Sequence, residues 1–202
     1  SADEIAVCNL GSVNLANHMK DGVLDEEKVK QTVSTAIRML DNVININYYS
    51  VETARNSNLK HRPIGLGMMG FQDALYVQNI AYCSSDAVEF ADKSMELISY
   101  YAIHASTELA KERGSYETFE GSLWSKGILP KDSIEILAEN RGNEYLNVDR
   151  SETLDWDTLR KKVLSDGMRN SNVMAIAPTA TISNITGAVS YTHLTLPTIS
   201  SV

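Results

Sequence analysis

The chain has 202 residues, with 18 Lys and Arg against 26 Asp and Glu and a formal net charge of -8 at pH 7. Apolar residues make up 43% and charged residues 22% of the sequence, which excludes wholesale disorder and suits about one domain with a buried core. The acidic balance argues against a DNA- or RNA-binding surface, and no apolar run approaches the ~18 residues of a membrane helix.

In the first third of the chain, the sequence pattern predicts one short strand, one long helix and one loop. Residues 4–15 indicate a buried strand with a turn at Gly11 and Ser12. Apolar residues after Asp25 recur every three or four positions, which predicts a helix. These positions are Val29, Val33, Ala36, Ile37, Leu40, Val43 and Ile44. Asp25 can cap the start of this helix. The polar, basic residues 55–63 are interpreted as a loop.

Gly65, Gly67 and Gly70 come next and match the letters of a dinucleotide-binding fingerprint. However, Pro63 stands just before them, no clear strand leads in, and no strand–helix–strand unit follows. Close packing of helices is the better interpretation of these glycines.

The second half of the chain is expected to be mainly helical. Residues 86–113 give the strongest helix signal, with Asp86 at its start and Gly114 at its end. Shorter helices are expected over 132–141 and 156–166, the last capped by Asp155 and ended by Gly167. Aromatic residues of the 115–130 loop should fix that loop to the body of the protein; they are Tyr116, Phe119 and Trp124.

The most informative segment lies near residue 178. The apolar run 173–177 indicates a strand buried on both faces, and it ends at Pro178. Residues 179–183 then combine hydroxyl groups with the free amides of a helix start, which together can hold a phosphate without a lysine. A plain helix cap explains the same residues equally well.

The two cysteines, Cys8 and Cys83, are too few for a disulfide scaffold and suit a reducing cytoplasm. From its neighbours alone, Cys8 is either a buried, inert residue or a reactive thiol whose partner lies elsewhere. Cys83 is interpreted as structural. None of the four histidines has a ligand spacing to Cys or to another His, so we expect no metal site.

The ends of the chain are unusual, since it begins with Ser1 and residues 190–202 contain no Asp, Glu, Lys or Arg. We expect a fragment, with a native part over 1–187 and a non-native tail over 188–202.

Several motifs, in order along the chain, resemble those of the ribonucleotide reductase large subunit. They are residues 6–15 (AVCNLGSVNL), 45–49 (NINYY), 60–67 (KHRPIGLG), 114–122 (GSYETFEGS), 167–171 (GMRNS) and 177–181 (APTAT). The resemblance runs over about residues 4–187 and rests on the collinearity of the set. It implies an α/β fold, a part of a ten-stranded α/β barrel with long outer helices, in which 173–177 is a barrel strand.

The resemblance also implies roles for particular residues. Cys8 resembles one member of the cysteine pair that supplies reducing electrons, and its partner would lie before residue 1. Thr179, Ala180, Thr181 and Ile182 fall at the turn that binds the substrate phosphates. The radical-bearing cysteine would lie outside the chain.

The activity implied is the reduction of ribonucleoside diphosphates to deoxyribonucleotides by thiyl-radical chemistry in the cytoplasm. This fragment would bind no cofactor directly, because a separate metal-containing subunit supplies the radical. Thioredoxin or glutaredoxin would be the reductant, and the full-length chain would be a homodimer. Two alternatives are the adenosylcobalamin-dependent class of the family and a helical interaction module without catalysis. The fragment alone is expected to be inactive and poorly soluble, because part of a barrel exposes strand edges.

Overall fold

The computed structural model describes residues 2–146 and 148–188. Its strands are β1 (Asn9–Asn14), β2 (Met19–Lys20), β3 (Val23–Leu24) and β4 (Ile64–Met69). Its α-helices are α1 (Glu26–Ile46), α2 (Glu52–His61), α3 (Phe71–Gln78), α4 (Ser85–Arg113), α5 (Ser133–Arg141), α6 (Trp156–Asp166) and α7 (Ala180–Thr186). Short 3-10 helices cover Leu15–His18, Trp124–Lys126, Pro130–Asp132 and Asn143–Tyr145.

Three parallel segments form the sheet that carries the candidate site. β1 pairs with β4 along its whole length, with Asn9 opposite Ile64 and Asn14 opposite Met69. On the other side of β4, Leu66 forms a parallel bridge with Met174. Helices α1 and α2 connect β1 to β4, as the crossover between parallel strands requires.

One face of this sheet is covered by helices. Val13, Ile64 and Leu66 belong to the same hydrophobic core as Ile37 of α1 and Ile98 of α4. Helix α1 packs against α4, and α4 packs against α6. The long helices therefore form a layer on one side of the sheet, which agrees with what the resemblance implies.

The helix boundaries follow from local capping. The Asp25 side chain accepts a hydrogen bond from the Lys28 amide at 3.0 Å, and Asp155 accepts one from Thr158 at 3.0 Å, so both predicted caps are confirmed. Helix α4 begins one residue before the predicted start. Its cap is Ser84 rather than Asp86, because the Ser84 hydroxyl accepts from the Ala87 amide at 3.2 Å.

Three local predictions are wrong. Strand β1 continues through Gly11 and Ser12 without a turn, because the ladder with β4 holds both residues extended. Residues 55–63 are mostly helix α2 rather than a loop. The glycines at 65 and 67 lie inside strand β4 and not between helices, while Gly70 precedes α3 with a φ of 68°.

The fold is α/β, with one sheet layer and long helices outside it. Within the described residues the parallel segments form no closed sheet, so the ten-stranded barrel stays a prediction. Only Met174 of the predicted strand 173–177 is bridged to β4. The predicted non-native tail lies, apart from Ala188, outside the described residues.

Candidate functional site

A cleft of about 340 Å³ opens between strand β1 and the turn that follows the 173–177 run. Its lining residues come from two parts of the chain that are far apart in sequence. They are Leu10, Gly11, Ser12, Ala177, Pro178, Thr179, Ala180, Thr181 and Ile182. All four predicted phosphate-binding residues therefore lie at one cavity, together with the strand that begins next to Cys8.

The backbone of β4 approaches the neighbouring chain closely beside this cleft. A Cβ atom added at Gly65 would lie 2.6 Å from the Cβ of Ala175 and 2.7 Å from a methyl of Leu10. A Cβ added at Gly67 would lie 2.2 Å from the carbonyl oxygen of Ala175. These two glycines let the 174–176 segment lie against β4, and that segment leads directly into the turn.

The turn has an unusual backbone. Thr179 adopts a left-handed conformation, with a φ of 57°, and its carbonyl accepts from the Ser183 amide at 2.9 Å. Helix α7 begins at Ala180, so the amides of its first turn have no partners within the helix. A β-branched residue with a positive φ is uncommon, and such residues concentrate at functional sites. The predicted helix start after Pro178 is confirmed.

Cys8 lies just before β1 and is exposed with a free thiol, so its interpretation as a buried residue is wrong. It lies two residues before Leu10, which lines the cleft and is 47% exposed. Cys83 is also exposed and free, and it lies between α3 and α4 rather than in the cleft lining.

Sequence reasoning missed a polar cluster just upstream of Cys8. The carboxylate of Glu4 lies 2.8 Å from Lys60 Nζ and 3.1 Å from His61 Nε2. His61 Nδ1 in turn lies 2.7 Å from the hydroxyl of Thr118. Hydrogen bonds from Lys60 and then His61 lower the pKa of Glu4 to about 2. No spacing rule in the sequence joins residues that lie this far apart along the chain.

A second cavity, of about 330 Å³, lies between α4 and the segments around residues 131 and 151. Glu96 lies in it and accepts hydrogen bonds from Thr153 and Trp156, so it holds that loop in place. Burial, followed by the neighbouring Asp149, raises the pKa of Asp92 there. This cavity contains none of the site residues that the sequence predicts.

Across residues 2–146 and 148–188, no three His, Cys, Asp or Glu side chains are grouped so as to hold a metal ion. In the same parts of the chain, no helix is long and apolar enough to cross a membrane.

Comparison with known proteins identifies the family. The family model for the ribonucleotide reductase barrel domain matches residues 1–195. The chain is 57% identical over 199 residues to the ribonucleoside-diphosphate reductase subunit alpha of Chlamydia muridarum, and 43% identical over 188 residues to that of Helicobacter pylori. It is 39% identical over 187 residues to the large chain of the enzyme of Schizosaccharomyces pombe.

These alignments cover 96%, 91% and 93% of this chain, respectively. They cover only 19%, 22% and 22% of the three relatives, so the chain spans about a fifth of the length of the proteins it matches. Because the family model matches nearly all of its residues, the chain belongs to the ribonucleotide reductase barrel-domain family.

Proposed function

We propose that this chain is a part of the catalytic subunit of a ribonucleoside-diphosphate reductase, and that the reaction occurs at the cleft between β1 and the 177–182 turn. The observation that carries the proposal is the near-complete match of the chain to proteins with that name. The cleft supports it, because it gathers the turn residues and the strand next to Cys8 around one space.

The turn would hold the diphosphate of the substrate. The amides of the first turn of α7 have no partners within the helix, and the hydroxyls of Thr179 and Thr181 would add donors without bulk. Both threonines line the cleft. Hydrogen bonds to a charged partner contribute about 1.5–3 kcal/mol each, so a few such donors suffice for a site without lysine.

Cys8 would supply one of two thiols that reduce the ribose. In the overall reaction the 2′ hydroxyl of the ribonucleotide leaves as water, and C2′ gains a hydrogen in its place. The two thiols provide the two electrons and two protons, and they close into a disulfide. An external dithiol, thioredoxin or glutaredoxin, would reopen this disulfide by exchange, which needs a sulfur that the partner can reach.

The radical would come from a separate metal-containing subunit, and this chain would bind no cofactor directly. The relatives' names, which specify an alpha or large subunit, support a second subunit over the adenosylcobalamin alternative. The same names leave the non-catalytic helical module without support. We further propose a homodimer of the full-length protein and a cytoplasmic location.

The test is turnover of the full-length protein, with its radical-generating subunit, after Cys8→Ser. Sustained reduction of ribonucleoside diphosphates with thioredoxin should be lost. Cys83→Ser is the matched control, since it removes a second exposed, free thiol away from the cleft, and it should leave turnover unchanged. Turnover of Cys8→Ser at the wild-type rate would overturn the proposed role.

A further inference from the structure

The polar cluster of Glu4, Lys60, His61 and Thr118 connects three separate parts of the chain. Lys60 and His61 are the last two residues of α2, and Thr118 belongs to the loop after α4. Glu4 is four residues upstream of Cys8. Its two carboxylate oxygens are used by different partners, Oε1 by Lys60 at 2.8 Å and Oε2 by His61 at 3.1 Å. The cluster therefore fixes the carboxylate in direction as well as in position.

A backbone contact reinforces this anchor. The amide of Ile5 donates to the carbonyl of Thr53, in the first turn of α2, at 3.2 Å. Residues 4 and 5 are thus both attached to α2. The Glu4 side chain is 26% exposed, whereas those of Lys60 and His61 are 38% and 30% exposed, so the cluster is half-buried rather than a freely solvated surface pair.

On the other side of Cys8, the chain is held by the β1–β4 ladder from Asn9 onward. Between the two anchors lie Ala6, Val7 and Cys8, all of them exposed and outside any strand. Cys8 therefore lies on a short segment whose two ends are held by the cluster and by the sheet. The volume that its sulfur can explore depends on both ends, and loss of the Glu4 contacts lengthens the part of the segment that is loosely held.

We propose that Glu4 is a positioning residue for Cys8, and that its contacts with Lys60 and His61 keep the sulfur within reach of its partner thiol and the substrate. This inference rests on the proposed function of Cys8 as a reducing thiol. Reactions between held groups are sensitive to their position, since a misplacement of about 1 Å can cost up to about 100-fold in rate. Glu4 itself touches neither substrate nor sulfur and acts only through the path of the chain.

The test uses the full-length, prereduced enzyme with its radical-generating subunit, in a single turnover without external reductant. Glu4→Gln should lower the single-turnover rate about tenfold and leave the KM for ribonucleoside diphosphate unchanged. Glu112→Gln is the matched control, because Glu112 forms a comparable ion pair with Arg38 at 2.7 Å, between α4 and α1. This control should keep the wild-type rate, although it loses an ion pair of the same kind.

A second variant separates positioning from a general loss of structure. Lys60→Met removes the ion pair but keeps the contact between His61 and Glu4, and it should also lower the single-turnover rate. The rate of the double variant Glu4→Gln/Lys60→Met should fall by less than the product of the two single effects, since both changes disrupt the same cluster. If Cys8→Ser is inactive while Glu4→Gln and Lys60→Met react at the wild-type rate, the inference is overturned and the proposed function stands. If Cys8→Ser turns over normally, the proposed function itself fails.

Discussion

Arg62 and Asp41 form an ion pair that is closed to solvent. Nη2 of Arg62 lies 2.7 Å from Oδ1 of Asp41, and the two side chains are 5% and 0% exposed. Two further guanidinium groups reach the same carboxylate, Arg113 at 3.1 Å and Arg169 at 3.4 Å. The Asn170 amide also donates to it, at 3.2 Å. One carboxylate on α1 thus connects the segment before β4, the end of α4 and the segment that leads to the 173–177 run.

Loss of this carboxylate should destabilise the protein strongly. Burial and the neighbouring Arg62 already lower the pKa of Arg169, so Asp41→Asn leaves buried positive charges without their counterion. Removal of one partner from a buried ion pair costs about 3–5 kcal/mol. We expect a loss of that size in the free energy of unfolding of the full-length protein, measured in urea. Glu27→Gln, which breaks an exposed pair with Lys30, should cost less than about 1 kcal/mol, and equal losses for the two variants would contradict this prediction.

Gly67→Ala should damage the cleft through its backbone. The new Cβ would stand 2.2 Å from the carbonyl oxygen of Ala175 and 3.1 Å from Cα of Ile176, so the segment before Pro178 must move away. We expect a clear rise in the KM for ribonucleoside diphosphate, together with a loss of stability of about 1–3 kcal/mol from overpacking. Gly11→Ala, on the paired strand and itself in the cleft lining, is a control for the loss of stability only, because its Cβ would meet only side-chain methyls, the nearest at 3.4 Å. A Gly67→Ala enzyme with unchanged KM would show that the turn does not depend on this approach.

Thr179 is a site where stability and function should conflict. Its φ of 57° costs a residue with a branched Cβ about 1–2 kcal/mol, whereas Asn tolerates this conformation better. Thr179→Asn should therefore raise the free energy of unfolding, by up to about 1 kcal/mol, and weaken ribonucleoside diphosphate binding. Thr186→Asn, at the other end of α7, should give no such gain. A Thr179→Asn variant that binds as tightly as the wild type would remove this threonine from the proposed site.

The helices were predictable from the sequence because their signals are local. Asp25 and Asp155 cap the helices predicted for them, and α1 follows the apolar spacing. Helix α2 was not predicted, since its buried residues are Ala54, Ser57 and Asn58, which carry no apolar period. Its polar residues therefore resembled those of a loop.

The features that the sequence does not predict depend on contacts between residues that are far apart along the chain. The sequence predicts the turn at 178–183. That this turn shares a cleft with Leu10 depends on the order of three parallel segments, which the sequence does not show. The Glu4 cluster and the four-part contact of Asp41 depend on the same order. In the sequence alone, Glu4 and Asp41 are two among 26 acidic residues, and nothing marks either as buried or paired.

The contribution of the Glu4 cluster to the stability of the protein should decrease as the pH falls. Hydrogen bonds from Lys60 and His61 lower the pKa of Glu4 from 4.5 to about 2. A carboxyl group whose pKa is lower in the folded state stabilises the protein fully above its unfolded value, and that contribution is lost as the pH falls toward the folded value. The difference in unfolding free energy between wild type and Glu4→Gln should thus be constant above pH 4.5 and shrink between pH 4.5 and about 2. A difference that grows as the pH falls would contradict the assignment.

The 202-residue chain, expressed without the rest of its protein, should associate through the uncovered side of its sheet. Leu10, Ile176 and Ile182 are 47%, 64% and 39% exposed around the cleft, and Ile185 of α7 is 78% exposed. Strand β1 also has one edge that no described strand covers, so its backbone groups can pair with another molecule. We expect self-association in light scattering and binding of a hydrophobic dye, both reduced by Ile176→Lys, which places a charge among these exposed apolar side chains. Met39→Lys is the control, since Met39 is 62% exposed on α1, and it should leave association unchanged. A monomer that unfolds cooperatively and binds no dye would show that this surface needs no cover from the rest of the protein.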